Sequence, residues 1–369
     1  MTSTKFETKP LFTRRQLTAL LLPLIAEQAL SVTIGLADTL MVSSVGEAAV
    51  SGVSLVDTFN TLMIQIMTAL ATGGAVVASQ YIGHREEKSA RAAAAQIMFI
   101  MSSFSILVAA VVVVGRHAIL RGIFGSIDAD VMKYAETYFL LSALSYPFIG
   151  LYNAGAALFR SMGNSKISMQ ISVLMNIINI VGNAVCIFGL KMGVDGVAWP
   201  SVVSRVIAAV LILGRCYQKG HALTVPRTVK LDTGMAKRIL GIGVPSAFEN
   251  SLFEAGRIVV VSMISTFGTV QIAANAVANN LDGVGCIPGK AIGLAMITVV
   301  GRCIGAGDNE QAVYYTKKLL GWAYLVMGVL NGLILIFVRP LVGIYELSGE
   351  TMELSIILAC IHAGFAMLL

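Results

Sequence analysis

Charge is what this sequence has least of. Of its 369 residues only 12% are Asp, Glu, Lys or Arg, while 56% are apolar. Mean hydropathy is +0.81, so there are too few polar side chains to coat a water-soluble globule of this size. Cysteine is sparse as well: Cys186, Cys216, Cys286, Cys303 and Cys360 are scattered without a CxxC pair or histidine neighbours. They indicate neither a disulfide framework nor a metal site and read as packing residues. No HExxH, GxSxG or GxxxxGK[ST] string occurs, and no acid is paired with a histidine in a way suited to catalysis, so an enzyme is not expected.

Long apolar runs are what the chain has in quantity. Runs of about 20 residues or more match a bilayer core of roughly 30 Å at 1.5 Å of helical rise per residue. They do not alternate, which excludes an outer-membrane barrel, so the fold class expected is an all-α polytopic membrane protein. The runs predict helices over about 17–43, 53–81, 93–115, 131–158, 166–190, 194–217, 237–265, 274–300, 314–338 and 352 to the end. The first run is not expected to be a cleavable leader. It is longer than one, it contains Glu27 and Asp38, and a second copy of it occurs deep inside the chain.

The formal charge of +6 follows the membrane and not a nucleic acid. With a cytoplasmic N-terminus, 18 Lys and Arg fall in inside segments. Four, Arg116, Arg121, Lys191 and Arg339, fall outside. That bias sets the orientation in a cytoplasmic membrane by the positive-inside rule.

The chain repeats itself. A gapless shift of 222 positions lays Pro23 on Pro245, Glu27 on Glu249, Met41 on Met263, Ser43 on Ser265, Gly46 on Gly268 and Ile82-Gly83 on Ile304-Gly305, with eleven identities over residues 23–90. Internal repeats of this kind build carriers that rock one half against the other around a site near the repeat interface. The expected organisation is a cytoplasmic segment (1–16), a six-helix N-lobe (17–217), a basic linker (218–236) and a C-lobe (237–369). Two pseudo-symmetric six-helix lobes make twelve helices when complete, and the second lobe here is expected to be truncated after about four.

The first span reads PLIAEQALSVTIGLADTLMVSSVG, the loop after the second SQYIGHREEKSA, the end of the fourth ALFRSMGNSK and the seventh GVPSAFENSLFEAGRIVV. In this order, with a basic linker midway, these strings resemble the multidrug and toxic compound extrusion (MATE) family over essentially the whole chain. The resemblance implies a two-lobed carrier, expected as a monomer, that extrudes organic cations or drug-like amphipathic compounds in exchange for Na⁺ or H⁺, with no other cofactor. The alternative is a lipid or lipid-linked oligosaccharide flippase of the same superfamily; the intramembrane acids place it second, because a pyrophosphate group asks for a cationic cavity.

Asp38 is the first candidate for coupling. It lies eight positions before Gly46, roughly 12 Å down the helix, where a carboxylate is costly unless it pairs with a cation or takes up a proton. The bland reading is a structural hydrogen-bond anchor. In the family an Asp fifteen residues after the first-helix proline belongs to the first-lobe cation site, and Asp38 stands fifteen after Pro23. Asn176, Asn179 and Asn183 share one stripe of the fifth helix, as Na⁺ ligands or as an interhelical amide network. Many family members have an Asp where this chain has Asn183, which leaves the ion open.

The substrate-cavity candidates are Glu27, Asp57, Glu249, Glu254 and Asp282. Glu27 and its repeat mate Glu249 read equally well as structural hydrogen-bonders, and Glu254 is expected to neutralise Arg257 as a buried pair. Asp57 and Asn60 align with Asn279 and Asp282, so acids face the interior of both lobes, where organic cations gain from desolvated carboxylates. For Asp57 plain N-capping is the competing role. Pro23, Pro147, Pro200, Pro245 and Pro288 are expected to kink their helices.

Overall fold

The computed structural model describes residues 10–43, 45, 47–124, 129–218, 232–265, 267–345 and 349–366, without the side chains of 35–40, 43, 47, 48, 124, 262, 265 and 269. Among these residues the chain forms twelve α-helices and no strand. They are α1 (Arg14–Ser43), α2 (Glu47–Gly83), α3 (Glu87–Phe124), α4 (Ala129–Ser161), α5 (Ser165–Ala184), α6 (Asp195–Tyr217), α7 (Thr233–Ser265), α8 (Thr269–Gly285), α9 (Ile287–Gly305), α10 (Asn309–Ile336), α11 (Val338–Gly343) and α12 (Gly349–Phe365). Seven of the described helices are long and apolar enough to cross a membrane. Most of the expected linker lies outside the described residues.

Local chemistry sets several of these boundaries. Thr13 and Gln16 form a capping box at the start of α1: the Gln16 N–H donates to Thr13 Oγ1 (3.2 Å) and the Thr13 N–H to Gln16 Oε1 (2.8 Å). Asp308 caps α10 by accepting from the Gln311 N–H at 2.9 Å, which starts that helix five residues before the predicted 314. The third helix is also far longer than the predicted 93–115, because the polar turns at both ends remain helical.

The predicted single helix over 274–300 is corrected to two, α8 and α9, divided at Cys286. Pro288 sits in the first turn of α9. A proline there is pre-shaped to start a helix, but it has no N–H to continue the preceding ladder. Asn331 of α10 is buried against this break and donates to the Gly285 carbonyl (3.4 Å) and to the Met327 carbonyl (2.9 Å). The predicted 314–338 helix likewise divides into α10 and the short α11 around Phe337.

The shift of 222 found in the sequence recurs in the backbone. Ser43 and Ser265 end helices, Glu47 and Thr269 begin them, Gly83 and Gly305 end them, and Glu87 and Asn309 begin them. The turn after α2 uses N–H to carbonyl bonds His84 to Gln80, Arg85 to Ile82 and Glu86 to Tyr81. The turn after α9 uses Ala306 to Arg302, Gly307 to Ile304 and Asp308 to Cys303. Both turns pass through the left-handed region, at φ 60° for Arg85 and 74° for Gly307. This is the Schellman arrangement that closes a helix C-terminus.

The two halves of the chain meet along α2, which packs on both α7 and α9; in both places glycines let the backbones approach, and a Cβ on Gly73 would stand 2.6 Å from the Gly243 nitrogen of α7. A Cβ on Gly83 would stand 2.3 Å from the Arg302 carbonyl oxygen, and one on Gly305 would stand 2.0 Å from the Gln80 carbonyl oxygen. Gly301 makes room for the Ser79 side chain, whose Cβ would stand 2.9 Å from a Cβ added at Gly301. An apolar cluster closes the seam beside this crossing, with Leu17, Leu20 and Leu24 of α1 packed on Ala295, Val299 and Cys303 of α9 and on Tyr315 and Leu319 of α10. The segment ahead of α1 is strapped across it. The Phe12 N–H donates to the Tyr315 hydroxyl (3.1 Å), which donates back to the Phe12 carbonyl (2.7 Å), and the Leu11 N–H donates to Gln311 Oε1 (2.8 Å).

Candidate functional site

Polar side chains collect inside the first half, between α2, α4, α5 and α6. On α2, ten residues past its start at Glu47, Asp57 is half-buried, so the N-capping role is corrected. Its Oδ1 accepts from the Tyr138 hydroxyl of α4 (3.0 Å) and from Asn60 Nδ2 (3.2 Å). Asn60, one turn on and fully buried, also donates to Ser142 Oγ (3.2 Å) and accepts from the Tyr146 hydroxyl (2.7 Å). Arg205 of α6 donates to Ser145 Oγ at 2.6 Å, and its charge reaches Asp57.

A carboxylate at the bilayer centre costs on the order of 3 kcal/mol on insertion scales. Two donors and a nearby guanidinium work against that cost, since a hydrogen bond to a charged group contributes about 1.5–3 kcal/mol, but burial remains the larger influence on Asp57. Asp57 is therefore fixed by two donors, with no cation in direct contact among the described residues. Beside it lies a cavity of about 20 Å³, lined by Asp57, Tyr138, Ser54 and the valines at 42, 50, 53 and 197. That is room for one water-sized guest.

The amide stripe lies on α5, which packs against α1 and α6. Asn176, Asn179 and Asn183 are all buried. Asn183 Nδ2 donates to Asn179 Oδ1 (3.4 Å), Asn179 Nδ2 to Ser201 Oγ of α6 (2.8 Å) and Asn176 Nδ2 to Ser172 Oγ (3.5 Å). Asp38 is on α1, but its side chain lies outside the described residues.

The other acids go elsewhere. Glu27 is buried and ion-paired with Arg160 of α4 at 3.5 Å, and it accepts from Ser168 Oγ of α5 at 3.1 Å. Glu249, its repeat mate, is exposed. Glu254 and Arg257 do meet, at 3.4 Å, but the Arg257 side chain is 54% exposed, so the expected buried pair is corrected to a half-open one. Asp282 is half-buried and accepts from the Cys286 thiol at 3.7 Å. The five acids read from the sequence as one cavity thus stand in separate surroundings, and of them Asp57 lines the cavity described.

Sequence reasoning missed Tyr138, Ser142, Ser145 and Tyr146. Their spacing of four, three and one places them along one face of α4, a polar stripe that was available to be read. For Glu27 no local signal existed, because its partners lie 133 and 141 positions away.

The MatE family profile matches residues 23–185 and 245–367, two segments whose starts are again 222 apart. The chain is 28% identical over 336 residues to an uncharacterized transporter, YisQ, of Bacillus subtilis, covering 89% of this chain and 73% of that one. It is 25% identical over 351 residues to a probable multidrug resistance protein, NorM, of Thermotoga maritima, covering 93% and 74%. A solved structure described as the outward-facing conformation of a multidrug resistance MATE family transporter superposes with a TM-score of 0.90 at 19% identity, covering 96% of this chain and 79% of that one. A transporter from Pyrococcus furiosus, described as having a binding pocket of reverse polarity, superposes at 0.88 with 18% identity over the same shares.

Proposed function

The chain belongs to the MATE family of multidrug efflux transporters, and from that premise we propose that it is a cation-coupled antiporter exporting organic cations or drug-like amphipathic compounds by alternating access. The observation that carries this reading is the carboxyl group of Asp57, fixed by Asn60 and Tyr138, without a cation in direct contact among the described residues, beside a cavity within the membrane span. Anionic oxygen in a low-dielectric interior attracts cations strongly. A small coupling ion and an organic cation draw on the same field, so each disfavours the other's binding.

Na⁺ or H⁺ is assigned to Asp38 with Asn176, Asn179 and Asn183, whose amide oxygens suit a hard monovalent cation. Asp57 belongs to the substrate side, next to Tyr138. Residues 17–217 and 237–369 act as the two lobes, joined by 218–236 on the cytoplasmic side, with the N-terminus also inside.

The test is efflux of a fluorescent cationic dye from vesicles containing the purified chain, under an imposed Na⁺ or H⁺ gradient. Gradient-driven dye movement that Asp38→Asn abolishes is the expected result. An Asp38→Asn protein that couples normally sinks the ion assignment. Movement of a pyrophosphate-linked lipid in place of dye sinks the substrate class.

A further inference from the structure

We propose that Glu27 and Arg160 form a proton-sensitive latch that holds the seam between the two halves closed. Arg160 is bound on two sides. Its guanidinium pairs with Glu27 Oε1 of α1 at 3.5 Å, with about 10% of either side chain exposed. Its carbonyl oxygen accepts from Thr298 Oγ1 of α9, across the seam, at 2.8 Å. The next carbonyl, that of Ser161, is clasped by Arg302 of α9 through Nε (3.1 Å) and a terminal nitrogen (2.8 Å).

These two carbonyls are the last of α4, where the helix dipole leaves partial negative charge; that of Arg160 also accepts from the Gly163 N–H (2.8 Å), while that of Ser161 is held by Arg302. The second half of the chain therefore caps a helix of the first. The cap is correctly placed only while the end of α4 is held in register, and the buried ion pair to α1 holds it.

The groups facing Glu27 make its charge decisive. Ser168 Oγ of α5 donates to Oε2 at 3.1 Å. Among the described residues, the charged or titratable groups found against Glu27 are Arg160 and Tyr152, both on α4, and Tyr152 donates to the Ser168 carbonyl at 3.3 Å. Uptake of one proton converts the Glu27 carboxylate to the acid and removes the counter-ion of a buried guanidinium. A buried ion left unpaired is strongly disfavoured, so Arg160 must turn toward water. The end of α4 is then released from Thr298 and Arg302.

Ser165 ties the same region to α1 from a third element. Its hydroxyl donates to the Leu20 carbonyl at 2.7 Å, one turn from Pro23, where the missing proline N–H and the ring loosen the helix. A shift of α1 about Pro23 is thereby transmitted to the latch. This device rests on the seam and not on the coupling site, so it stands or falls independently of the transport reading.

The test uses a pair of spin labels at Lys166→Cys and Glu310→Cys, exposed positions on either side of the seam, in a background with the five native cysteines replaced. The protein is in lipid vesicles without dye or gradient. We expect one short distance at neutral pH, a longer population as pH falls, and the longer population at every pH in Glu27→Gln. Thr298→Val, which leaves the ion pair intact, should populate the longer distance already at neutral pH. If Glu27→Gln fails to fold, Ser168→Ala serves instead. Loss of its donor to the ionised carboxylate should move the transition to higher pH. A transition unchanged in Glu27→Gln, or in Ser168→Ala where that variant is the one used, overturns the proposal.

Discussion

Gly83 and Gly305, 222 positions apart, each lie against the backbone of the other's helix: Gly83 meets the carbonyl of Arg302, and Gly305 meets the carbonyl of Gln80. Gln80 and Arg302 are themselves 222 apart, so the contact is close to self-complementary, as at a two-fold axis within one chain. At these two positions main chain meets main chain, and the closeness depends on the absence of a Cβ at both glycines.

Gly305→Val should therefore force α2 and α9 apart, since the added carbons meet main chain and not a flexible side chain. Overpacking of this kind typically costs 1–3 kcal/mol. The labelled pair used for the latch should report a longer mean distance, and Gly83→Val should do the same. Unchanged distances in both variants would show that the crossing is not the closing contact.

Tyr315→Phe removes the hydroxyl that both accepts from and donates to Phe12. The edge-to-face packing of the two rings, with centroids 5.8 Å apart, is kept. A buried N–H left without its acceptor costs about 1–3 kcal/mol. Thermal unfolding in detergent should fall accordingly, and proteolysis near residue 12 should accelerate while the rest of the chain stays resistant.

Tyr138→Phe deletes a donor to Asp57 and nothing else of note in shape. The loss of a hydrogen bond to a charged group amounts to about 1.5–3 kcal/mol. Dye efflux at neutral pH should drop by about tenfold or more, given that 1.4 kcal/mol is one decade. Asp57→Asn should abolish efflux while preserving the bonds to Asn60 and Tyr138 in altered form, so expression and melting temperature should change little.

Asn183→Asp replaces the amide that donates to Asn179 Oδ1 at 3.4 Å with a carboxylate, which sets two acceptors face to face. A cation between them relieves the repulsion. Melting temperature should then rise with Na⁺ concentration more steeply in the variant than in the parent, by the linkage of binding to stability. Equal slopes would indicate that the stripe is an amide network only.

The repeat and its matching helix ends were legible in the sequence because a recurrence of hydrophobic spans is a long-range pattern visible in one dimension. Ser43 with Ser265 and Gly83 with Gly305 mark the same helix ends in both copies. What failed was local. The length of α3 was underread because its terminal turns are polar, and Asp57 was weighed as a cap because α2 begins at Glu47, well before its apolar stretch. The partners of Glu27 and the convergence on Asp57 depend on how helices pack, which periodicity along one helix does not encode. Pro288 did announce trouble in its span, yet a kink and a full break share the same residue signal.

That break at Cys286 makes the two copies mechanically unequal. In the first half α2 runs unbroken from Glu47 to Gly83, a stiff rod that transmits any tilt from end to end. Its counterpart is jointed, with Asn331 pinned at the elbow. A push applied at the far tip of α8 can be absorbed there before it reaches the shared crossing, so displacement should pass more faithfully through the earlier copy, while the later one acts as the compliant member.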